Sequence, residues 1–180
     1  MKRSVLGLAV IIASLIPAFA SAQEAGKVGV TMGFPASVGV IWHASEKIAV
    51  RPEFSFTHSS TDSSITNSNT DTVALGVTVL FYTKKWDNAA MYFAPRFNWS
   101  HGSSEAETDS GDFDSSSSGD AYTYSGSVGA QGWIGSRFSV FGEVGLAYGT
   151  ASSESDSPFS SEIKNQSFSI RSGVGVVLYF

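Results

Sequence analysis

Ser167-Phe168-Ser169-Ile170-Arg171-Ser172-Gly173-Val174-Gly175-Val176-Val177-Leu178-Tyr179-Phe180 is the stretch whose reading decides the fold. Phe168, Ile170, Val174, Val176, Leu178 and Phe180 share one parity, and Ser169, Arg171, Gly173 and Gly175 share the other. Side chains alternate across a strand. One face of this segment is therefore apolar but for Ser172, while the other is small or polar as far as Gly175. That contrast suits a strand with hydrocarbon on one side and a crowded, polar interior on the other.

The same two-residue rhythm predicts seven further strands, near 27–34, 37–44, 47–58, 72–83, 89–100, 122–133 and 137–149. Their apolar parity carries Val28, Val30, Met32 and Phe34, then Val38, Val40 and Trp42, then Ile48, Val50, Pro52, Phe54 and Phe56. It continues through Val73–Phe81, Met91–Trp99, Tyr122–Ala130 and Phe138–Tyr148. No Lys, Arg, Asp or Glu occupies these positions, as expected where a base at the bilayer midplane costs about 2–4 kcal/mol. After the first connection, around Pro35-Ala36, the connections alternate in length. Ser45-Glu46, Lys84–Asn88 and Ile134–Ser136 are short, whereas 59–71, 101–121 and 150–166 are long and polar. The expectation is an all-β, eight-stranded antiparallel up-and-down transmembrane β-barrel with short periplasmic turns and long polar extracellular loops. Aromatic residues near strand ends form an expected interfacial girdle: Phe56, Trp99, Tyr124, Tyr148 and Phe168 outside, and Trp42, Phe81, Trp86 and Phe138 inside.

The N-terminal segment agrees with export. Lys2 and Arg3 precede an apolar stretch, Leu6–Ile16, too short to span a bilayer. Pro17 breaks it, and Ala20-Ser21-Ala22 supplies the small residues of a cleavage site. We read 1–22 as a cleaved signal peptide and 23–180 as one barrel domain. Loss of Lys2 and Arg3 leaves 9 of the 11 basic residues against 16 acidic ones, a net charge of −7. The 180-residue sequence contains no cysteine, so an exported domain must hold itself without disulfides. Closing a sheet on itself does so by pairing its backbone groups.

On the segments Ile48–Phe56, Phe138–Gly145 and Gly173–Phe180, the chain resembles the small eight-stranded outer-membrane barrels of the OmpA/OmpX type. The resemblance implies residence in the Gram-negative outer membrane among lipid and lipopolysaccharide. It also implies recognition of the terminal Phe180, with Leu178 and Val176, by the barrel-assembly machinery. Members differ in what they do, so the likeness leaves activity open.

Arg51, Glu53, Arg96, Glu143 and Arg171 fall on the inward parity near mid-strand and are expected to form a barrel-interior charge network. An eight-stranded barrel has room for side chains and not for a wide channel, so a plug is expected rather than a pore. Inward glycines make room beside Tyr82, Tyr92 and Phe141. The segment 101–121 holds Glu105, Glu107, Asp109, Asp112, Asp114 and Asp120 without a single Lys or Arg. It reads as a solvated coat that resists ordering and disfavours nucleic acid and lipopolysaccharide phosphate. Cation capture and adhesion are its other readings. Asp112-Phe113-Asp114 lacks the glycine and the closing glutamate of a calcium loop. His43, His58 and His101 are not spaced as a metal site.

His101-Gly102-Ser103 looks like the H-x-S element of lipid A deacylases. No third group that would orient the histidine is visible in the sequence. We therefore expect a monomeric barrel with a structural or surface-interaction role, no cofactor and no catalysis. A small pore and an adhesin are the alternatives, and a lipid A hydrolase stands last.

Overall fold

The computed structural model describes residues 25–35, 37–62, 66–108, 115–155 and 163–180. The expected signal peptide lies outside them. Eight strands follow in order: β1 Val28–Phe34, β2 Ser37–His43, β3 Ile48–Asp62, β4 Thr66–Trp86, β5 Ala89–Thr108, β6 Ser115–Ile134, β7 Phe138–Ser155 and β8 Ile163–Tyr179. Each pairs antiparallel with its sequence neighbours, and β1 closes on β8.

The register sets the shape. From Thr31 the ladder runs through Gly39, Glu53, Gly76, Asn98, Thr123, Gly149 and Ser167. The β8–β1 register, Phe34 opposite Val174, carries that row to the level of position 41, ten residues beyond Thr31. Eight strands with a stagger of ten tilt by about 40° and enclose a radius of about 8 Å. Each ladder row climbs by about one residue per strand as a result.

Turn chemistry suits the short end. Ser45 Oγ accepts hydrogen bonds from the Lys47 and Ile48 amides, at 3.3 and 3.1 Å. Gly135 supplies the positive φ of 73° between β6 and β7. β4 carries a bulge at Thr83, between the pairs Tyr82–Tyr92 and Lys84–Met91. The extra residue reverses parity, so Phe81 above it and Trp86 below it both face outward. Trp86, expected in a turn, is the last residue of β4.

The strands run further than the periodicity indicates. β4 and β5 reach 21 and 20 residues, while β1 and β2 have 7 each. Much of the segments expected as loops is paired strand: 59–62 with 67–70, and 101–106 with 115–120. Both faces are polar there, so no hydrophobic contrast marks them as strand. Ladder bonds and hydroxyl pairs such as Thr70 Oγ1 with Ser104 Oγ at 3.1 Å hold them. Asp109, Asp112 and Asp114 lie outside the described residues.

Polarity on the outer face changes over one step. Phe56, Val73, Trp99 and Tyr122 are followed, two residues outward, by His58, Asp71, His101 and Asp120. Below this line the outer wall is apolar and exposed, from Val28 and Trp42 through Leu75, Val144 and Leu178. The packed core lies inside the ring in its lower half: Ile41, Ala49, Leu80, Tyr82, Ala90, Tyr92, Val177 and Tyr179, with Trp133 and Phe141 against it.

Candidate functional site in the barrel interior and at its rim

Two polar layers are stacked above and within this core. In the upper one, β3 contributes Arg51 and Glu53, β5 contributes Tyr92 and Arg96, and β7 contributes Glu143. Arg51 Nη2 donates to Glu143 Oε1 at 2.7 Å, and Tyr92 Oη donates to the same oxygen at 3.0 Å. Glu53 Oε2 faces Arg51 Nε at 3.6 Å and Arg96 Nη1 at 3.1 Å, and it accepts from Thr78 Oγ1 at 3.1 Å. Ser37 Oγ reaches Glu53 Oε1 at 3.3 Å. Arg51 also lies over the Phe141 ring, 4.7 Å from its centroid. Arg51, Glu53 and Glu143 are all buried, so these contacts stand in for lost hydration.

Glycines admit the large partners. A Cβ on Gly129 would sit 2.5 Å from the Tyr92 ring, and one on Gly175 would sit 2.5 Å from Phe141. Four of the five charges expected inside therefore meet one another. Arg171 does not: it makes no ion pair or hydrogen bond among the described residues, although it lies near enough to Arg96 for the two charges to repel.

The lower layer was not anticipated. Gln131 Nε2 donates to Ser139 Oγ at 2.6 Å and to Tyr179 Oη at 2.8 Å, and Tyr82 Oη donates to Gln131 Oε1 at 2.7 Å. His43 is fully buried, with Nε2 3.2 Å from Tyr179 Oη and its ring stacked on Tyr82. The available signal was parity. His43, Gln131, Ser139 and Tyr179 all alternate with lipid-facing neighbours, but each is a single polar letter within its strand.

At the rim, two exposed histidine–aspartate pairs lie just above the aromatic line. His58 Nδ1 is 2.8 Å from Asp71 Oδ1, and His101 Nδ1 is 3.1 Å from Asp120 Oδ1. Trp99 Nε1 donates to the same Asp120 oxygen at 3.2 Å. His101 thus has the orienting group that the sequence did not reveal. Ser103 shares its face, but its hydroxyl makes no hydrogen bond to His101 among the described residues. A histidine held by an aspartate is present, while a contact from that histidine to a serine hydroxyl is not, among the described residues. Among the described residues, no cluster of three or more His, Asp or Glu side chains is arranged to hold a metal ion.

The nine aromatics expected in the girdle all face outward. Trp42, Phe56, Trp86, Tyr124, Tyr148 and Phe168 are well exposed, and Phe81, Trp99 and Phe138 are partly covered. On the closing strand, Leu178 and Phe180 are exposed on the outer wall and Val176 is partly covered.

A closed ring of eight antiparallel strands, apolar outside and charged within, defines a small eight-stranded membrane β-barrel. No protein-family model matches the chain, and no curated protein matches it in sequence. Solved structures do. A major outer membrane protein from Thermus thermophilus superimposes with a TM-score of 0.61 at 11% identity, covering 86% of this chain and 98% of that one. Ail, the attachment invasion locus protein of Yersinia pestis, gives 0.53 at 11% identity, covering 87% and 99%. At such identities the likeness is one of fold.

Proposed function

We propose that the chain is an outer-membrane barrel whose work is done by the sheet standing outside the bilayer, with an interior plugged by its own ion pairs and no catalysis. One observation carries this reading: β3 to β8 continue past the aromatic line as a paired sheet with two free edges. β3 has no β2 partner beyond Phe54, and β8 has no β1 partner before Val174. Strand edges present unpaired donors and acceptors and are natural docking lines for other chains. The interior ion pairs favour a plug over a pore. The signal-like N-terminus and the likeness in fold to an outer membrane protein of Thermus thermophilus support the location, and Ail carries attachment in its name.

The barrel is a monomer in lipid and lipopolysaccharide, and Phe180, Leu178 and Val176 are its contact with the assembly machinery. The net charge of −7 in the exported chain argues against nucleic acid. The test joins Ser104 to Ser117, which are register partners, through an Asn-Gly turn, and so removes the outer part of the β5–β6 hairpin. Cells expressing the shortened protein should lose attachment to neighbouring or host cells and keep their permeability to small solutes. Unchanged attachment, or raised permeability, overturns the reading.

A further inference from the structure

We infer that Arg171 forms a site for a phosphate group that enters through a notch in the barrel wall at the outer-leaflet level. The notch follows from the short β1–β2 hairpin. At its tip the last described pairs set Phe34 against Val174 and Val38 against Phe54. Allowing for the climb of the ladder rows, that tip stands level with about Ser172 on β8. The aromatic line on β8 is at Phe168, four residues higher, or about 10 Å along the barrel axis. Between these levels the wall facing β1 and β2 is missing. Ser167 and Ser169 point inward yet are exposed, so the interior opens sideways here.

Arg171 lies just above the tip, on the inward parity of a strand edge that β1 does not cover. Its ladder partner is Gly145, which brings no side chain of its own to the place beside it. The local charges leave it without a counter-ion. Glu143 is taken by Arg51 and Tyr92, and Glu53 by Arg51, Arg96, Thr78 and Ser37. Three cations thus face two carboxylates that are already engaged by other groups. A buried hydroxyl points to the same place: Ser127, opposite Gly145, is 2% exposed and its Oγ has no hydrogen-bond partner. That oxygen leans over Gly145, where it would crowd a Cβ at 2.6 Å. The β8 edge from Ser169 to Ser172 adds unpaired backbone groups at a depth where hydrocarbon cannot satisfy them. A phosphate meets these demands together. It accepts forked hydrogen bonds from a guanidinium group, accepts from the serine hydroxyl and brings its own water. Its source is either the headgroup of an outer-leaflet lipid or free phosphate from the medium.

The test uses the exported full chain in dodecyl maltoside, which contains no phosphate. One arm measures retention of dioleoyl phosphatidic acid by native mass spectrometry, and the other measures orthophosphate binding by calorimetry. Retention of phosphatidic acid without orthophosphate binding identifies the lipid source, and binding of orthophosphate identifies the soluble one. Arg171→Gln, which breaks no contact in the barrel, should reduce either signal at least tenfold, and Arg171→Lys should keep most of it. Binding of neither compound overturns the inference, as does equal binding in wild type and Arg171→Gln. Each protein is first shown to be folded by its heat-modifiable gel migration.

Discussion

Glu143→Ala is the most informative single perturbation of the interior. Glu143 accepts from Arg51 at 2.7 Å and from Tyr92 at 3.0 Å, and its side chain is 3% exposed. Removing it leaves Arg51 with Glu53 alone, at 3.6 Å from Nε, and strands the Tyr92 hydroxyl. Truncating one member of a buried pair costs about 3–5 kcal/mol, mostly because the other charge stays buried. Glu53 remains as a second partner, so the expected loss is about 3 kcal/mol. Urea unfolding in dodecyl maltoside, followed by tryptophan fluorescence, reads this as a lower midpoint at an unchanged slope. The double variant Arg51→Met, Glu143→Leu removes both charges and should recover most of the loss, since apolar replacement of a whole buried pair is often neutral or better. Planar-bilayer recordings of Glu143→Ala should show no large, stable conductance. A loss under about 1 kcal/mol, or a wide channel in either wild type or variant, would refute the account of the interior as a self-neutralising plug.

Three further outcomes are expected. Gly129→Ala places a Cβ 2.5 Å from the Tyr92 ring and should lower stability by about 2 kcal/mol, whereas Gly142→Ala, which meets nothing within 4 Å, should be near neutral in the same urea assay. Val144→Arg, on the exposed apolar wall at mid-height of β7, should cost about 2–4 kcal/mol when unfolding is measured from lipid vesicles. Ser103→Ala should leave the acyl chains of lipid A unchanged by mass spectrometry of cells expressing either form. A chain lost only when Ser103 is present would mean that His101 and Asp120 act as a catalytic pair after all.

The belt of this barrel was legible because hydrocarbon imposes a strict rule on alternate residues. From Ile48 to Phe56, and from Phe168 to Phe180 with the exception of Ser172, every second side chain declares its side of the wall. Above the belt the rule lapses. Water bathes both faces of 101–106 and 115–120, so serine, glycine and acid alternate without contrast, and only backbone pairing shows that they are strands. The interior was half legible. Parity placed Arg51, Glu53, Arg96 and Glu143 inside, but which charges touch depends on the stagger between strands far apart in sequence. That stagger leaves Arg171 alone, and it brings Asp120 to His101 across a strand boundary.

The bulge at Thr83 has a consequence for how such a chain can change over time. A closed ring counts its residues in pairs, because an odd insertion within the belt would turn the following greasy side chains inward and the charged ones out. The belt can therefore gain or lose length only by twos, or by one where a kink absorbs the extra residue, as Thr83 does near the short-turn end. The sheet outside the bilayer carries no such constraint. Its hairpins can be lengthened, trimmed or recoded one residue at a time, so novelty is expected to accumulate there while the wall beneath keeps its dimensions.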